Sequence, residues 1–130
     1  MATTELPASH ADLLERPTFA HLATVAPDGS PHSSVMWFVW DGEVLRFTHT
    51  TSRQKFKNIA NEPRVAISIA DPDDPYRSLE VRGIVEKTEP DDAVASFYKS
   101  LQARYGQDYE ITDAAKRVIL TVRPTVFVTK

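Results

Sequence analysis

At 130 residues, with 15 lysines and arginines against 18 aspartates and glutamates, the chain has the length of one domain, 1–130, and a formal net charge of -3. That length supports a single hydrophobic core, and the slight acidic excess argues against a nucleic-acid partner, which needs a broad basic surface. The absence of cysteine excludes a disulfide framework, a thiolate metal site and a cysteine nucleophile, and fits a reducing compartment, the cytoplasm by default.

The opening run Met1 to Pro7 has no basic stretch followed by an apolar one, so no secretory leader is expected. The segment Ser9-His10-Ala11-Asp12 before Leu13 and Leu14 reads as a helix start, and Pro17 as its end. Thr18 to Val25 reads as a strand. Ala26 to Pro31 is dense in turn formers and leads into a return strand from Ser33 to Trp40. The apolar run Val35 to Trp40 inside it is far too short for a membrane helix, so no membrane association is expected. Alternation sends Trp37 to the face opposite Phe38 and Trp40. Asp41-Gly42 supplies a tight turn into a third strand from Glu43 to Thr50, completing an antiparallel meander.

The period then changes. Phe56, Ile59 and Ala60 recur at helical spacing, with Ser52 as a candidate N-cap and Pro63 as the stop. Val65, Ile67 and Ile69 alternate with Ala66, Ser68 and Ala70, a strand whose second face is lined by small side chains. Asp71 to Pro75 is a loop. Ser78 to Lys87 is a strand in which Gly83 marks a bulge or barrel bend. Pro90, Asp91 and Asp92 open a helix with the stripe Val94, Phe97, Tyr98, Leu101 and Tyr105, closed by Gly106. Arg117 to Val122 and Thr125 to Thr129 are β-rich runs separated by Pro124, which must lie at an edge or a break.

The segment with chemistry in it is Ser52-Arg53-Gln54-Lys55-Phe56-Lys57-Asn58. Three cations fall at the start of a short helix, where free backbone N–H groups and the dipole already favour an anion. On an ideal helix Arg53 and Lys57 share a flank about 40° apart, with Lys55 about 160° from Lys57. This is a phosphate site in outline, and spacing alone leaves a solvated basic helix as an equal alternative. His10, His21, His32 and His49 show neither a catalytic triad nor metal-ligand spacing. His49, just before the cationic segment, is the one candidate for touching a ligand or moving a proton.

The order Phe19 to Thr24, Asp28-Gly29-Ser30-Pro31-His32, Ser33 to Phe38, Arg53 to Asn58 and Glu62 to Ala66 resembles the pyridoxamine 5'-phosphate oxidase-like superfamily. Tyr76 to Gly83 also fits its actinobacterial branch that uses the deazaflavin coenzyme F420. The resemblance implies a mainly β chain with short helices, an antiparallel Greek-key-type split barrel of the FMN-binding kind. It further implies a homodimer with two cofactor sites at the interface. Arg53, Lys55, Lys57 and Asn58 match the family's phosphate-binding positions, with Phe56 between them. Ser33, Ser34, Val35, Met36 and Trp37, with Thr50, Thr51 and Ser52, would line the cofactor's ring and ribityl chain. Tyr76, Arg77 and Leu79 would come from the partner subunit or flank the substrate pocket.

The chain lacks the C-terminal segment by which the oxidase proper holds its phosphorylated pyridine, which argues against pyridoxamine phosphate oxidation. What the resemblance leaves is a hydride relay between F420 and a small conjugated acceptor such as a quinone, an unsaturated lactone or a tetrapyrrole. Two alternatives stay open: an FMN-dependent oxidoreductase on the same fold, and a protein that carries a flavin, F420 or a haem product without turning it over.

Overall fold

The structure, a computed structural model, describes residues 2–130. A two-residue strand β1 (Ala2–Thr3) is followed by a short helix α1 (Asp12–Glu15) and then β2 (Ala20–Val25). The expected return strand is two strands, β3 (Pro31–Met36) and β4 (Phe38–Trp40), divided at Trp37. Next come β5 (Leu45–Thr50), α2 (Gln54–Asn61), β6 (Arg64–Ala70) and β7 (Ser78–Pro90). The chain closes with α3 (Ser96–Arg104) and β8 (Arg117–Thr129).

All the strand pairs are antiparallel, in the order β3-β2-β6-β7-β8-β5-β4, with β1 on β8. The two ends of this path, β3 and β4, are one residue apart in the chain. The sheet therefore curls until its first and last strands meet end to end at Trp37, which makes a barrel that is split beside that residue.

Alternation along each strand fills the interior. Leu22 of β2, Ile67 and Ile69 of β6, Leu79 and Val81 of β7 and Leu120 and Val122 of β8 have no exposed surface, and Phe38 and Phe47 pack tilted against each other between β4 and β5. Burying one such side chain contributes about 1.5–3 kcal/mol. As alternation requires, Trp37 points away from Phe38 and Trp40. It stacks on Tyr105 at 5.1 Å between ring centroids and on Tyr109 at 6.3 Å.

The break at Trp37 is held from α3. Tyr105 accepts a hydrogen bond from the Phe38 amide and donates to the Thr18 carbonyl, while Arg104 Nε donates to the Phe38 carbonyl. Nothing local in the run Val35 to Trp40 signals this, which is why a single strand was expected.

Gly83 lies at a register shift of β7 against β8, and a Cβ there would come within 2.6 Å of the Arg123 carbonyl oxygen, so only glycine permits the approach. Pro124 does not end β8. One edge of β8 pairs with β5 only as far as Val122 and with β1 only from Phe127, so the missing N–H falls where that edge has no partner. The third helix begins later than its sequence suggested, because β7 runs on to Pro90. Asp91 instead reaches forward, and its carboxylate accepts the amides of Phe97 and Tyr98. The hairpin between β4 and β5 is longer than two residues, with Asp41 Oδ1 accepting from the amides of Glu43 and Val44.

Candidate functional site

The split creates the site. β3 pairs with β2 along Pro31–Met36, and β4 pairs with β5 only over Leu45 to Phe47. The outer edge of β3 and the stretch Thr48 to Thr50 of β5 therefore have no ladder partner on the side of the split. Both border one groove of about 200 Å³, lined by Val35, Met36 and Trp37 on one wall and Thr48, His49 and Thr50 on the other. Open strand edges offer backbone donors and acceptors to a ligand.

The groove's floor is cationic. Arg53 is the N-cap of α2, with extended φ and ψ of -89° and 150°, so Ser52 is not the cap. Arg53 and Lys55 both line the groove. Lys55 donates to Ser34 Oγ at 2.6 Å, tying the helix start to β3 across the split. Burial, and then the charge of Arg53, hold the Lys55 ammonium below its ordinary pKa. Thr50 and Ser52 hydroxyls lie 3.3 Å apart at the same rim.

Two residues that sequence reasoning did not place here complete the groove. Arg117, the first residue of β8, lies with its guanidinium carbon 3.5 Å from the centre of the Tyr98 ring of α3. Its Nε donates to Asp113 at 3.0 Å, and Nη1 lies 3.5 Å from Thr48 Oγ1. Neither residue stands out in the sequence: Tyr98 reads as part of an apolar helix stripe and Arg117 as a lone strand cation.

His49 continues the inward face of Leu45 and Phe47, so it sits where the core meets the groove, 5% exposed. Its Nε2 has no hydrogen-bond partner in the protein. Burial first, and then the charges of Lys55, Arg53 and Arg117, lower its pKa to about 4, so the ring is neutral near pH 7.

Of the residues expected at the cofactor, Val35, Met36, Trp37, Thr50, Arg53 and Lys55 line the groove, and Ser34 and Ser52 are bonded to residues that do. Exposed Thr51 follows at the turn into α2, its amide bonded to the Lys116 carbonyl. The others are elsewhere. Ser33 lies on a shallow outer concavity of about 380 Å³ with His21, Ala23, Ala66 and Ser68, the small-residue face of β6. Phe56 packs against the core and Lys57 is exposed away from the groove. The ideal-helix angle between Arg53 and Lys57 does not hold, because Arg53 precedes the first helical residue.

Asn58 is completely buried. Its amide donates to Thr24 Oγ1 at 3.0 Å and its carbonyl oxygen accepts from Gln54, so its side chain fastens α2 to β2 and is not available to a phosphate. Leu79 is likewise sealed in the core, because its place in the β7 alternation faces inward. Arg77 is bound within its own chain: it donates to Asp12, to Asp71 at 2.9 Å and to the Ser9 carbonyl at 2.6 Å, locking α1 to the loop before β7. Tyr76 beside it is 92% exposed and does not line the groove of its own chain.

Among the described residues no group of three or more histidine, aspartate or glutamate side chains could hold a metal ion, and no helix is long and apolar enough to cross a membrane.

The fold and site together define a split antiparallel barrel whose open seam carries clustered cations and free strand edges. The chain belongs to the pyridoxamine 5'-phosphate oxidase family, whose model matches residues 6–129. It is similar to a solved structure named F420 reductase, with 55% sequence identity, a TM-score of 0.91, and coverage of 95% of this chain and 98% of that one. A conserved hypothetical protein from Mycobacterium tuberculosis is 26% identical with a TM-score of 0.72, covering 95% of this chain and 83% of that one. The haem storage protein HutZ from Vibrio cholerae shares the fold at 17% identity and a TM-score of 0.67, covering 96% and 95% of the two chains. No curated protein matches the chain in sequence.

Proposed function

We propose that this protein is an oxidoreductase that binds the deazaflavin coenzyme F420 in the groove beside Trp37 and passes a hydride between it and a small conjugated acceptor. The observation that carries this reading is the charge of the groove. Arg53, Lys55 and Arg117 line it, and only Arg117 has a carboxylate partner, Asp113. Partly buried Lys55 and Arg117 beside exposed Arg53 form a cluster that an anion can bridge. The unpartnered His49 nitrogen and the open edges of β3 and β5 suit the polar rim of a planar ring, and Trp37 supplies an aromatic wall. The 55% identity to a structure named F420 reductase supports the same cofactor.

Bound there, the deazaflavin supplies the hydride chemistry from its ring carbon. The protein's part is to anchor the phosphate on Arg53 and Lys55, hold the ring against Trp37 and the strand edges, and keep water out. A quinone, an unsaturated lactone or a tetrapyrrole fits as acceptor, being electron-poor and conjugated. A homodimer completes the reading, since Val35 on the groove wall is 59% exposed and offers apolar surface for a second copy to cover. Flavin mononucleotide is the competing cofactor, because its phosphate suits the same cations.

Fluorescence titration with F420 and, separately, with flavin mononucleotide tests the assignment. F420 is expected to bind below about 100 μM, roughly 5.5 kcal/mol. Lys55→Glu is expected to weaken binding at least tenfold without unfolding the barrel. Failure of both ligands to bind, or unchanged affinity in that variant, refutes the reading; tight binding of flavin mononucleotide alone transfers it to that cofactor.

A further inference from the structure

We propose that His49 is a proton-linked ligand contact: when an anion docks on Arg53 and Lys55, the His49 imidazole takes a proton from solvent and becomes a donor to the bound molecule. This rests on the anion-groove reading above and adds to it a role for a buried ionisable side chain that, among the described residues, has a ring nitrogen without a partner.

The geometry sets the argument. His49 is 5% exposed and its Nε2 makes no hydrogen bond within the protein. A buried polar nitrogen left unpaired is costly in a folded chain, and here it belongs to a residue that lines the groove. The charged groups around it are few. From α2 come Arg53 and Lys55, and from β8 comes Arg117. The turn before β8 contributes Asp113, which is taken up by Arg117. The hydroxyls of Thr48 and Thr50 on its own strand, Ser34 of β3 and the Tyr98 ring of α3 complete the surroundings. No unengaged carboxylate faces the ring from any of these elements. Burial first, and then three cations with no free anion, keep the imidazole neutral in the unliganded protein.

An anion seated on Arg53 and Lys55 offsets their repulsion of the imidazolium, and an opposite charge close to a titrating group typically moves its pKa by about 1–3 units. The balance is simple: one proton leaves solvent and joins the ring nitrogen as the anion arrives, and it returns when the anion leaves. Protonation also turns the second ring nitrogen into a donor, so both nitrogens can give a hydrogen bond. Affinity for the anion must then rise as pH falls between the bound-state and free-state pKa values, by up to tenfold per unit.

Sulfate is the clean probe, because it has no titration of its own near neutral pH. Histidine ring signals are followed by NMR from pH 3.5 to 8 on the full-length protein, with and without saturating sulfate, and His49→Gln identifies the His49 signal. The expected result is a midpoint near 4 without sulfate and at least one unit higher with it. Calorimetry at pH 5 in two buffers of different ionisation enthalpy should show net proton uptake in the wild type and none in His49→Gln.

Sulfate binding that Arg53→Ala weakens, with no shift of His49, overturns the proton linkage while leaving the anion groove intact. No sulfate binding at the groove, tested again with F420, overturns the groove reading and the linkage together. A shift that persists unchanged in His49 when Arg53 and Lys55 are both replaced by alanine also overturns it, because the anion then acts from elsewhere.

Discussion

Replacing Asn58 by alanine separates a phosphate ligand from a structural clasp, because the two roles predict opposite results. The side chain has no exposed surface, donates to Thr24 Oγ1 at 3.0 Å and accepts from Gln54. Truncation leaves Thr24, itself 1% exposed, with an unpaired hydroxyl. A lost buried hydrogen bond with its orphaned partner costs about 1–3 kcal/mol. The small void adds to this, while alanine in a helix interior returns about 0.5 kcal/mol of propensity. The net expectation is a loss of about 1–2.5 kcal/mol, a fall in Tm of roughly 4–8 °C for a domain of this size. Urea unfolding of Asn58→Ala, Thr24→Val and the double variant should show a coupling of about 1 kcal/mol. Affinity for F420 should stay within twofold of wild type. A large loss of ligand affinity with unchanged stability would show that Asn58 reaches the phosphate, and the structural assignment would be wrong.

Two further expectations concern charge. A histidine whose pKa is about 4 when folded and near 6.5 when unfolded is a liability in acid, since the unfolded chain gains the proton first. Stability should therefore fall as pH drops from 6.5 towards 4, by about 2 kcal/mol at pH 5, and His49→Gln should flatten that slope in urea midpoints measured at each pH. Asp12 and Asp71 lie on the other side of the ledger. Arg77 hydrogen-bonds Asp12, and for Asp71 the Asp73 amide comes first and Arg77 second; both carboxyls are held below their ordinary value. Their contribution is present above about pH 4 and is lost as pH falls through the lowered values. Arg77→Ala should destabilise the barrel at pH 7, with the penalty shrinking as pH falls through those lowered values, and should leave F420 affinity unchanged. Reduced cofactor affinity in that variant would return Arg77 to the ligand site.

The sequence by itself determined what depends on period and local chemistry. Alternation along Val65 to Ala70 set which face of β6 is buried. Gly83 marked the one place where two strands approach too closely for a Cβ, and Pro124 had to find an unpaired edge. The cations before and within the first turn of α2 outlined an anion site with a solvated helix as an equal alternative, and two of the three line the groove. The tertiary structure decided the rest, because it depends on groups far apart in the chain. Arg104 and Tyr105 of the last helix hold the backbone at Phe38 and so divide a run that reads as one strand, opening the seam at Trp37. Packing of α2 on β2 turned Asn58 inward and left Lys57 outside, although both belong to the same cationic motif. Curling of the sheet then carried Tyr98 and Arg117 to a groove whose other wall is Val35 to Trp37, and burial there, among three cations, fixes His49 as neutral. Spacing along a chain records which residues share a face; only closure of the barrel determines which faces meet.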